Sequence, residues 1–328
     1  YMASHTKGLW RLSNASTARD SDWVQCCQNP GLITAIGISK SQPNTVFIGR
    51  NGGGNIFRIE GADTTSSTYH VIDCDPLNLM NNGYCNCIYV DPSDVNHVFV
   101  CFTNYNAKNI YESHNATSAS PTWEAVDGDL PNVPVHWLAQ HPTNSHVAYI
   151  ATEIGVFYCD SLAGDSTHWH IANNGLPNIR CTMLKLRSSD NTLLVSTYGR
   201  GMFWATVPTT GTNYNLTWEE RGPLDIGGRT RAIMLDPNDP SHQTVWVGSV
   251  SGGLWKVTNI DGLQPSSINS IDQNNSWKIY PSLANADDNI QIINNSNQSK
   301  VSVSIYNVDG QLKASTNNAT VIKLSSGS

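Results

Sequence analysis

Charge is scarce in this sequence. Only 14% of its 328 residues are Asp, Glu, Lys or Arg, and the formal net charge is −7. Surfaces that bind nucleic acid or anionic membranes need clustered Lys and Arg, and the sequence has no such cluster. It also has no apolar run approaching the roughly 20 residues that span a bilayer, and no helical periodicity of useful length. We therefore expect no nucleic-acid partner, no membrane span and no helical fold.

What the sequence does contain is a repeat. A triplet of Gly or Asn, an apolar residue and an aromatic residue recurs, with 46 to 54 residues between successive aromatics. The triplets end at Trp10, Phe57, Tyr111, Phe157, Phe203 and Trp255. A second aromatic follows each triplet, at Trp23, Tyr69, Trp123, Trp169, Trp218 and Trp277. Short β-branched and aromatic runs, split by turns rich in Pro, Asn and Gly, predict four short antiparallel strands per unit.

A repeat of about 45 to 50 residues with four strands is typical of a β-propeller, whose blades bury their faces only against neighbouring blades. We predict an all-β fold: a β-propeller of about six to seven four-stranded blades over residues 1–278, followed by a small, incomplete β-sandwich over residues 279–328. Residues 1–27 are expected to form the two outer strands of a half-blade. The stretch 210–228 contains much Gly and charge, which makes it a candidate seam.

The repeats resemble the sortilin-like and Asp-box (BNR) propellers of secreted bacterial proteins. The resemblance is clearest at residues 151–157, 196–203 and 247–255, and it covers roughly residues 1–278. The Ser-x-Asp-x-Gly-x-x-Trp box of that family is degenerate throughout, and Asp160 and Trp169 are its best-preserved remnant. Because the box is a structural turn, its erosion carries little information about function.

The tail resembles a type A C-terminal sorting domain of the bacterial type IX secretion route. Ile279-Tyr280-Pro281 and the later Ala284-Asn285 match the opening of that domain, and residues 303–311 match its central strand and turn. The resemblance implies the type IX secretion machinery as a partner and a secreted or cell-surface location. The family's closing strand is missing, so we expect unpaired strand edges through which chains can self-associate.

The eight cysteines fall into groups. Four lie in segments that we predict to join blades, where disulfides are expected in an exported protein: Cys26, Cys27, Cys74 and Cys85. Three lie in predicted strands, where a buried thiol acts as a small hydrophobic group: Cys87, Cys101 and Cys181. Cys85 and Cys87 lack partners at zinc-ligand spacing. We therefore assign no metal and no other cofactor.

Five histidines are dense in the middle of the chain: His136, His141, His146, His168 and His170. Their number suggests a metal site, but His168 and His170 share one face of a predicted outer strand, whereas the others lie in an inner strand and a turn. We interpret them as surface or turn histidines.

The sequence shows no unique catalytic constellation, and we assign no catalytic residue. Arg229 and Arg231 suggest the arginine cluster of a sialidase, but no motif reveals the nucleophile pair and acid that a sialidase also needs. Asp91 and Asp236, candidates for the paired Asp of a xyloglucanase-like enzyme, lie in the repeated Asp-Pro turn, where Asp initiates a turn. We favour a non-enzymatic binding protein for a glycan or protein ligand. A polysaccharide-acting glycoside hydrolase and a structural subunit of an extracellular assembly remain the alternatives.

The ligand is expected on the rim formed by the loops that join the second and third strands of each blade. These loops differ between blades although their flanking strands repeat. They offer aromatic faces for stacking and charged groups for acidic ligands. The predicted ligand-binding residues are Arg50, Tyr105, Lys108, Glu153, Tyr198 and Arg200. The alternative is a solvated rim whose glycines only form turns.

Overall fold

The computed structural model describes residues 1–4, 8–13, 17, 19, 22–27, 31–51, 56–62, 70–75, 83–211, 213–222, 230–250 and 253–262, together with the backbone of five later strands. The chain divides into two compact units, Tyr1–Pro265 and Ser266–Ser328. The sequence had suggested a boundary at residue 278, whereas the strand at Trp277–Tyr280 pairs within the second unit. The candidate seam at 210–228 lies partly outside the described residues.

The first unit is a β-propeller of six blades, and in each blade the antiparallel strands follow chain order. Blade 1 contains β1 (Met2–Ser4), β2 (Gly8–Arg11) and β3 (Val24–Cys27). Blade 2 contains β4 (Ile33–Ile38), β5 (Val46–Arg50), β6 (Ile56–Glu60) and β7 (His70–Asp73). Blade 3 contains β8 (Cys85–Val90), β9 (Val98–Phe102), β10 (Ile110–Ser113) and β11 (Glu124–Ala125).

The remaining blades follow the same plan. Blade 4 contains β12 (Val135–Gln140), β13 (Ala148–Thr152), β14 (Gly155–Cys159) and β15 (Trp169–Ile171). Blade 5 contains β16 (Cys181–Arg187), β17 (Thr192–Thr197), β18 (Met202–Thr206) and β19 (Glu219–Glu220). Blade 6 contains β20 (Thr230–Leu235), β21 (Val245–Ser249) and β22 (Gly253–Val257). The all-β fold predicted from the repeat is thus confirmed.

The first strand of each blade is its inner strand, and from blade 2 to blade 6 these strands contact one another in turn. The sequence predicts these five strands at residues 33–39, 85–90, 135–140, 181–186 and 231–235, and each observed strand agrees to within one residue at either end. Blade 1 differs from the prediction, because Met2–Ser4 pairs with Gly8–Arg11 and adds a third strand to the two expected ones.

The hydrophobic core lies between neighbouring blades. One cluster joins Phe99 of blade 3 to Leu138 and Ile150 of blade 4, and another joins Tyr149 of blade 4 to Leu193 of blade 5. Every residue of β9, β13 and β17 is buried, because these second strands pack against a neighbour on both faces. Complete burial of one large apolar side chain contributes about 1.5–3 kcal/mol. The blades therefore stabilise one another.

In blades 3, 4 and 5 the second aromatic of the repeat is a tryptophan that connects its blade to the preceding one. Its indole Nε1 donates a hydrogen bond to a backbone carbonyl near the outer strand of that blade, from Trp123 to Cys74 (2.8 Å), from Trp169 to Val126 (3.0 Å) and from Trp218 to Ala172 (2.6 Å). The repeat thus conserves a contact between blades as well as a strand pattern.

The second unit contains two antiparallel sheets. One consists of β23 (Trp277–Tyr280), β24 (Asn289–Asn294) and β27 (Val321–Lys323), and the other of β25 (Ser302–Tyr306) and β26 (Leu312–Asn317). The pairing of β25 with β26 agrees with the predicted hairpin, whose Asp309-Gly310 turn lies outside the described residues.

The cysteine prediction needs correction. Cys26, Cys27 and Cys85 belong to strands rather than to connecting segments, and Cys74 directly follows a strand. All eight cysteines are free thiols and all are buried, so the four predicted disulfide cysteines serve instead as core residues. Cys26 and Cys27 pack in a cluster with Leu9 and Ile48, and Cys74 and Cys85 pack in one with Phe47 and Ile88, because a thiol packs as a small hydrophobic group.

Candidate functional site

Each of the five inner strands of blades 2 to 6 carries a β-bulge at its second residue. The register with the neighbouring strand shifts there, so that two residues of the inner strand oppose one residue of its partner. A bulge leaves its extra residue unpaired and can re-aim that residue's side chain. The bulged residues are Thr34, Asn86, His136, Thr182 and Arg231.

These five bulged residues line one cavity. Trp137, Arg180 and Tyr198 complete its walls, and the cavity, with a volume of about 230 Å³, opens to solvent. One residue from each of five blades therefore reaches the same space. We refer to it as the central cavity.

Three bulged side chains also connect neighbouring blades. Thr34 Oγ1 donates to the Cys85 carbonyl (2.5 Å) and Asn86 Nδ2 donates to the His136 carbonyl (2.6 Å). Thr182 Oγ1 donates to the Thr230 carbonyl (2.9 Å). Each bond joins an inner strand to the start of the next inner strand. The cavity wall is therefore held in place by backbone contacts before any ligand arrives.

His136 makes a different contact. Its Nε2 lies 2.9 Å from Glu153 Oε1, and Arg180 Nε donates to Glu153 Oε2 at 2.6 Å. The Arg180 guanidinium also lies 5.2 Å from the centroid of the Tyr198 ring, within range of a cation–π contact. Glu153 thus holds together a histidine of blade 4 and an arginine that leads into blade 5.

Burial lowers the pKa of His136, and the positive charges of Arg180 and Arg231 add to this effect, although the Glu153 carboxylate opposes it. The imidazole is therefore neutral at neutral pH. With Nε2 facing a carboxylate, the proton of the neutral ring lies on Nε2 and leaves Nδ1 as an acceptor. Two guanidinium groups and one carboxylate then give the site a net positive charge.

The structure brings together two of the six residues predicted from the rim. Tyr198 lines the cavity and Glu153 supports it through His136 and Arg180. Arg50 ends β5, where its guanidinium lies 4.1 Å above the Phe57 ring. Lys108 Nζ forms an ion pair with Asp165 at 2.7 Å, whereas Tyr105 and Arg200 are exposed and do not line the cavity. The binding role of all six stays a prediction.

The histidine prediction was right for four residues and wrong for one. His146, His168 and His170 are exposed, and His141, although buried, lies in the predicted turn after β12, with Nε2 2.7 Å from the Pro208 carbonyl. His136 is instead a half-buried residue of the cavity. Sequence reasoning also missed Asn86, Arg180 and Thr182. The signal that could have found most of them is a polar residue at the second position of an otherwise apolar inner strand.

Within the described part of the chain, no helix is long and apolar enough to cross a membrane.

No protein-family model matches the chain, and no curated protein matches its sequence. Solved structures do resemble it. The β-propeller domain of Cps50 (Swd1) from Myceliophteria thermophila matches 74% of this chain and 73% of that chain, with a TM-score of 0.50 and 11% identity. The GH74 enzyme of Niastella koreensis matches 77% of this chain with a TM-score of 0.52 and 12% identity, and the match spans 40% of that enzyme. At these identities the likeness shows the β-propeller fold alone.

Proposed function

We propose that this chain is a non-enzymatic, secreted or cell-surface binding protein that holds a carboxylate-bearing glycan in its central cavity. The observation that carries the proposal is the convergence of Arg180 and Arg231 on a cavity whose histidine is neutral. The site is thus positive in a chain whose net charge is −7. Such a local field favours an acidic ligand.

The other lining groups suit a sugar. Trp137 and Tyr198 supply aromatic surface, and Asn86, Thr34 and Thr182 supply amide and hydroxyl groups. Sites for small ligands combine apolar and aromatic walls with a few fixed polar groups. Because hydrogen bonds between blades already orient three of these polar side chains, a ligand meets a preorganised surface.

The residues of the same cavity support a hydrolase less well than a binding protein. Glycoside hydrolysis generally needs two carboxyl groups on opposite sides of the scissile bond. Among the described residues that line the cavity none carries a carboxylate, and Glu153 is engaged by both His136 and Arg180. Turnover of a polysaccharide that one carboxylate substitution abolishes would favour the hydrolase.

The proposed location rests on the tail resemblance to sorting domains of the type IX route. Fusion of the second unit, residues 266–328, to a reporter, expressed in a bacterium that has this route, tests it. We expect the reporter outside the cell, and retention of the fusion within the cell envelope would contradict the location without affecting the binding proposal.

The binding proposal is tested with an array of paired glycans, each uronate-containing glycan beside its carboxyl-reduced counterpart. We expect the acidic member to bind and its neutral partner to bind at least about tenfold more weakly, since a charge-assisted hydrogen bond contributes about 1.5–3 kcal/mol. Peptides with free and with amidated C-termini form the second arm. Preference for free peptide termini alone would assign the site to a protein ligand.

Matched arginine variants locate the site. Arg231→Gln should weaken binding of the acidic glycan about 10- to 100-fold, whereas Arg200→Gln on the rim should leave it unchanged. The reverse pattern would place the ligand on the rim. Equal binding of acidic and neutral glycans by the wild-type chain would overturn the proposed recognition of a carboxylate.

A further inference from the structure

A second group of polar side chains lies at the other end of blade 3. His97 precedes β9, Glu112 belongs to β10 and His114 follows it. His97 Nε2 lies 2.7 Å from Glu112 Oε1, and His114 Nε2 lies 3.3 Å from the same oxygen. The ligand atoms of the three residues all lie within 4.8 Å of one another. Asn86, at the start of β8, faces the central cavity, and the six-residue strand separates it by about 17 Å from the turn beside His97.

A further carboxylate orients His97 from behind. Asp91 Oδ2 lies 3.4 Å from His97 Nδ1, the ring nitrogen opposite Glu112. Asp91 is itself fixed, because its Oδ1 accepts hydrogen bonds from the backbone N (2.8 Å) and the Oγ (2.6 Å) of Ser93. A carboxylate on the far nitrogen of a histidine is the usual outer shell of a metal-ligating imidazole.

The histidine-glutamate trio is confined to blade 3. Strand register identifies the positions in the other blades that correspond to His97, Glu112 and His114. They are occupied by Thr45, Arg58 and Glu60 in blade 2, by Val147, Tyr158 and Asp160 in blade 4, by Thr192, Trp204 and Thr206 in blade 5, and by Thr244, Lys256 and Thr258 in blade 6. The propeller scaffold therefore does not require the trio.

The need of the buried Glu112 carboxylate for a hydrogen-bond partner does not explain why His114 lies beside it. The side chains of Glu112 and His97 are only 9% and 7% exposed and already contact each other. His114 is 74% exposed, yet its ring stacks on that of His97 with centroids 4.6 Å apart and an angle of 18° between the planes. An exposed imidazole held in this position directs a third ligand atom at the same oxygen. The three atoms leave one side open to solvent.

We propose that His97, Glu112 and His114 bind a divalent transition-metal ion, with Zn²⁺ as the preferred ion and Asp91 as the residue that positions His97. Two imidazole nitrogens and one carboxylate oxygen are a common zinc ligand set that keeps a fourth position open. Zn–N bonds of about 2.0–2.1 Å in a tetrahedral site place ligand atoms about 3.3 Å apart. The His114–Glu112 distance already has this value, and the shorter His97–Glu112 contact has to widen.

The test uses the full chain after treatment with a chelator, titrated calorimetrically with Zn²⁺ alone. We expect one ion per chain and a higher melting temperature in its presence, because a ligand that binds only the folded state stabilises it. Co²⁺ bound at this site should show the visible absorption of an ion with a low coordination number. The spectrum should lack the charge-transfer band of a cobalt–thiolate bond. That band would assign the metal to cysteines and overturn the proposal.

Three variants decide whether these residues hold the ion. His114→Ala should weaken Zn²⁺ binding at least about 100-fold. Because the His114 side chain is exposed, the variant should fold as the wild type does. Asp91→Asn, which keeps the acceptor for Ser93, should weaken binding about 10- to 100-fold. His146→Ala, at an exposed histidine of blade 4, should bind as the wild type does. Stoichiometric binding that survives His114→Ala, or the absence of binding by the wild type, would overturn the proposal.

Discussion

The indole Nε1 of Trp218 donates to the carbonyl oxygen of Ala172 at 2.6 Å. Trp218 precedes the outer strand of blade 5, and Ala172 follows the outer strand of blade 4. The two residues are 46 positions apart, about one period of the repeat. The bond explains why an aromatic recurs at this place and why tryptophan is the most frequent choice.

Replacement of Trp218 by Phe should destabilise the propeller by about 1–3 kcal/mol, because it leaves a buried carbonyl without its donor. Equilibrium unfolding in denaturant measures the change. Trp204→Phe is the matched control, since the Trp204 Nε1 bonds the exposed Glu219 carboxylate (3.1 Å), which water can satisfy. Equal losses in the two variants would contradict a special role for the contact between blades.

The glycine of the repeated triplet gives a second prediction. Gly155 has a φ of +119°, and a Cβ at this position would overlap Asn173 Oδ1, which accepts a hydrogen bond from the Val156 backbone N (2.8 Å). Gly199 has a φ of +91° but has nothing within 4 Å of an added Cβ. Gly199→Ala should therefore cost only backbone strain of about 1–2 kcal/mol. Gly155→Ala should cost clearly more, and equal free energies of unfolding would show that strain alone selects the glycine.

Protonation of His136 should make the stability of the folded protein depend on pH. Because burial holds its pKa below the ordinary value of about 6.5, the unfolded chain binds more protons at this residue than the folded chain does between the two pKa values. Stability should therefore fall as the pH drops from about 6.5 through that window. His136→Gln should flatten this part of the curve. The free energies of unfolding of the two proteins are compared relative to their values at pH 8, where the histidine is neutral in both the folded and the unfolded state. Parallel curves of free energy against pH below that value would contradict the prediction.

The thiols give a fourth prediction. All eight cysteines are buried, and burial raises the pKa of Cys74 and of Cys159 to about 12. Since the thiolate is the reactive form, the folded protein should react only slowly with a thiol reagent. After unfolding without a reductant, all eight should react. A count below eight in the unfolded protein would show that disulfides have formed.

Local information in the sequence was sufficient for the architecture. The spacing of Trp169 and Trp218, the apolar runs of the inner strands and the turn prolines all act within one blade or between adjacent blades, so their period predicts a propeller. Such patterns misplace residues whose surroundings in the folded chain differ from those that are usual for their residue type. Three of the four cysteines assigned to connectors lie in strands, and His136 faces a cavity rather than the surface, because chain order alone does not say which side of a blade becomes enclosed.

The central cavity and the group around Glu112 depended on tertiary structure. Thr34 and Arg231 lie at opposite ends of the propeller sequence, and they face one space because successive inner strands pack side by side. His97, Glu112 and His114 meet because the β9–β10 register places the end of one strand beside the start of the other. Strand alternation in the sequence predicts which residues share a face of a sheet. The bulge that re-aims a side chain depends on how the first two strands of a blade pair, and the cavity depends on the packing of one sheet against the next. The alternation of residue types within a single strand encodes neither, because both are contacts between strands.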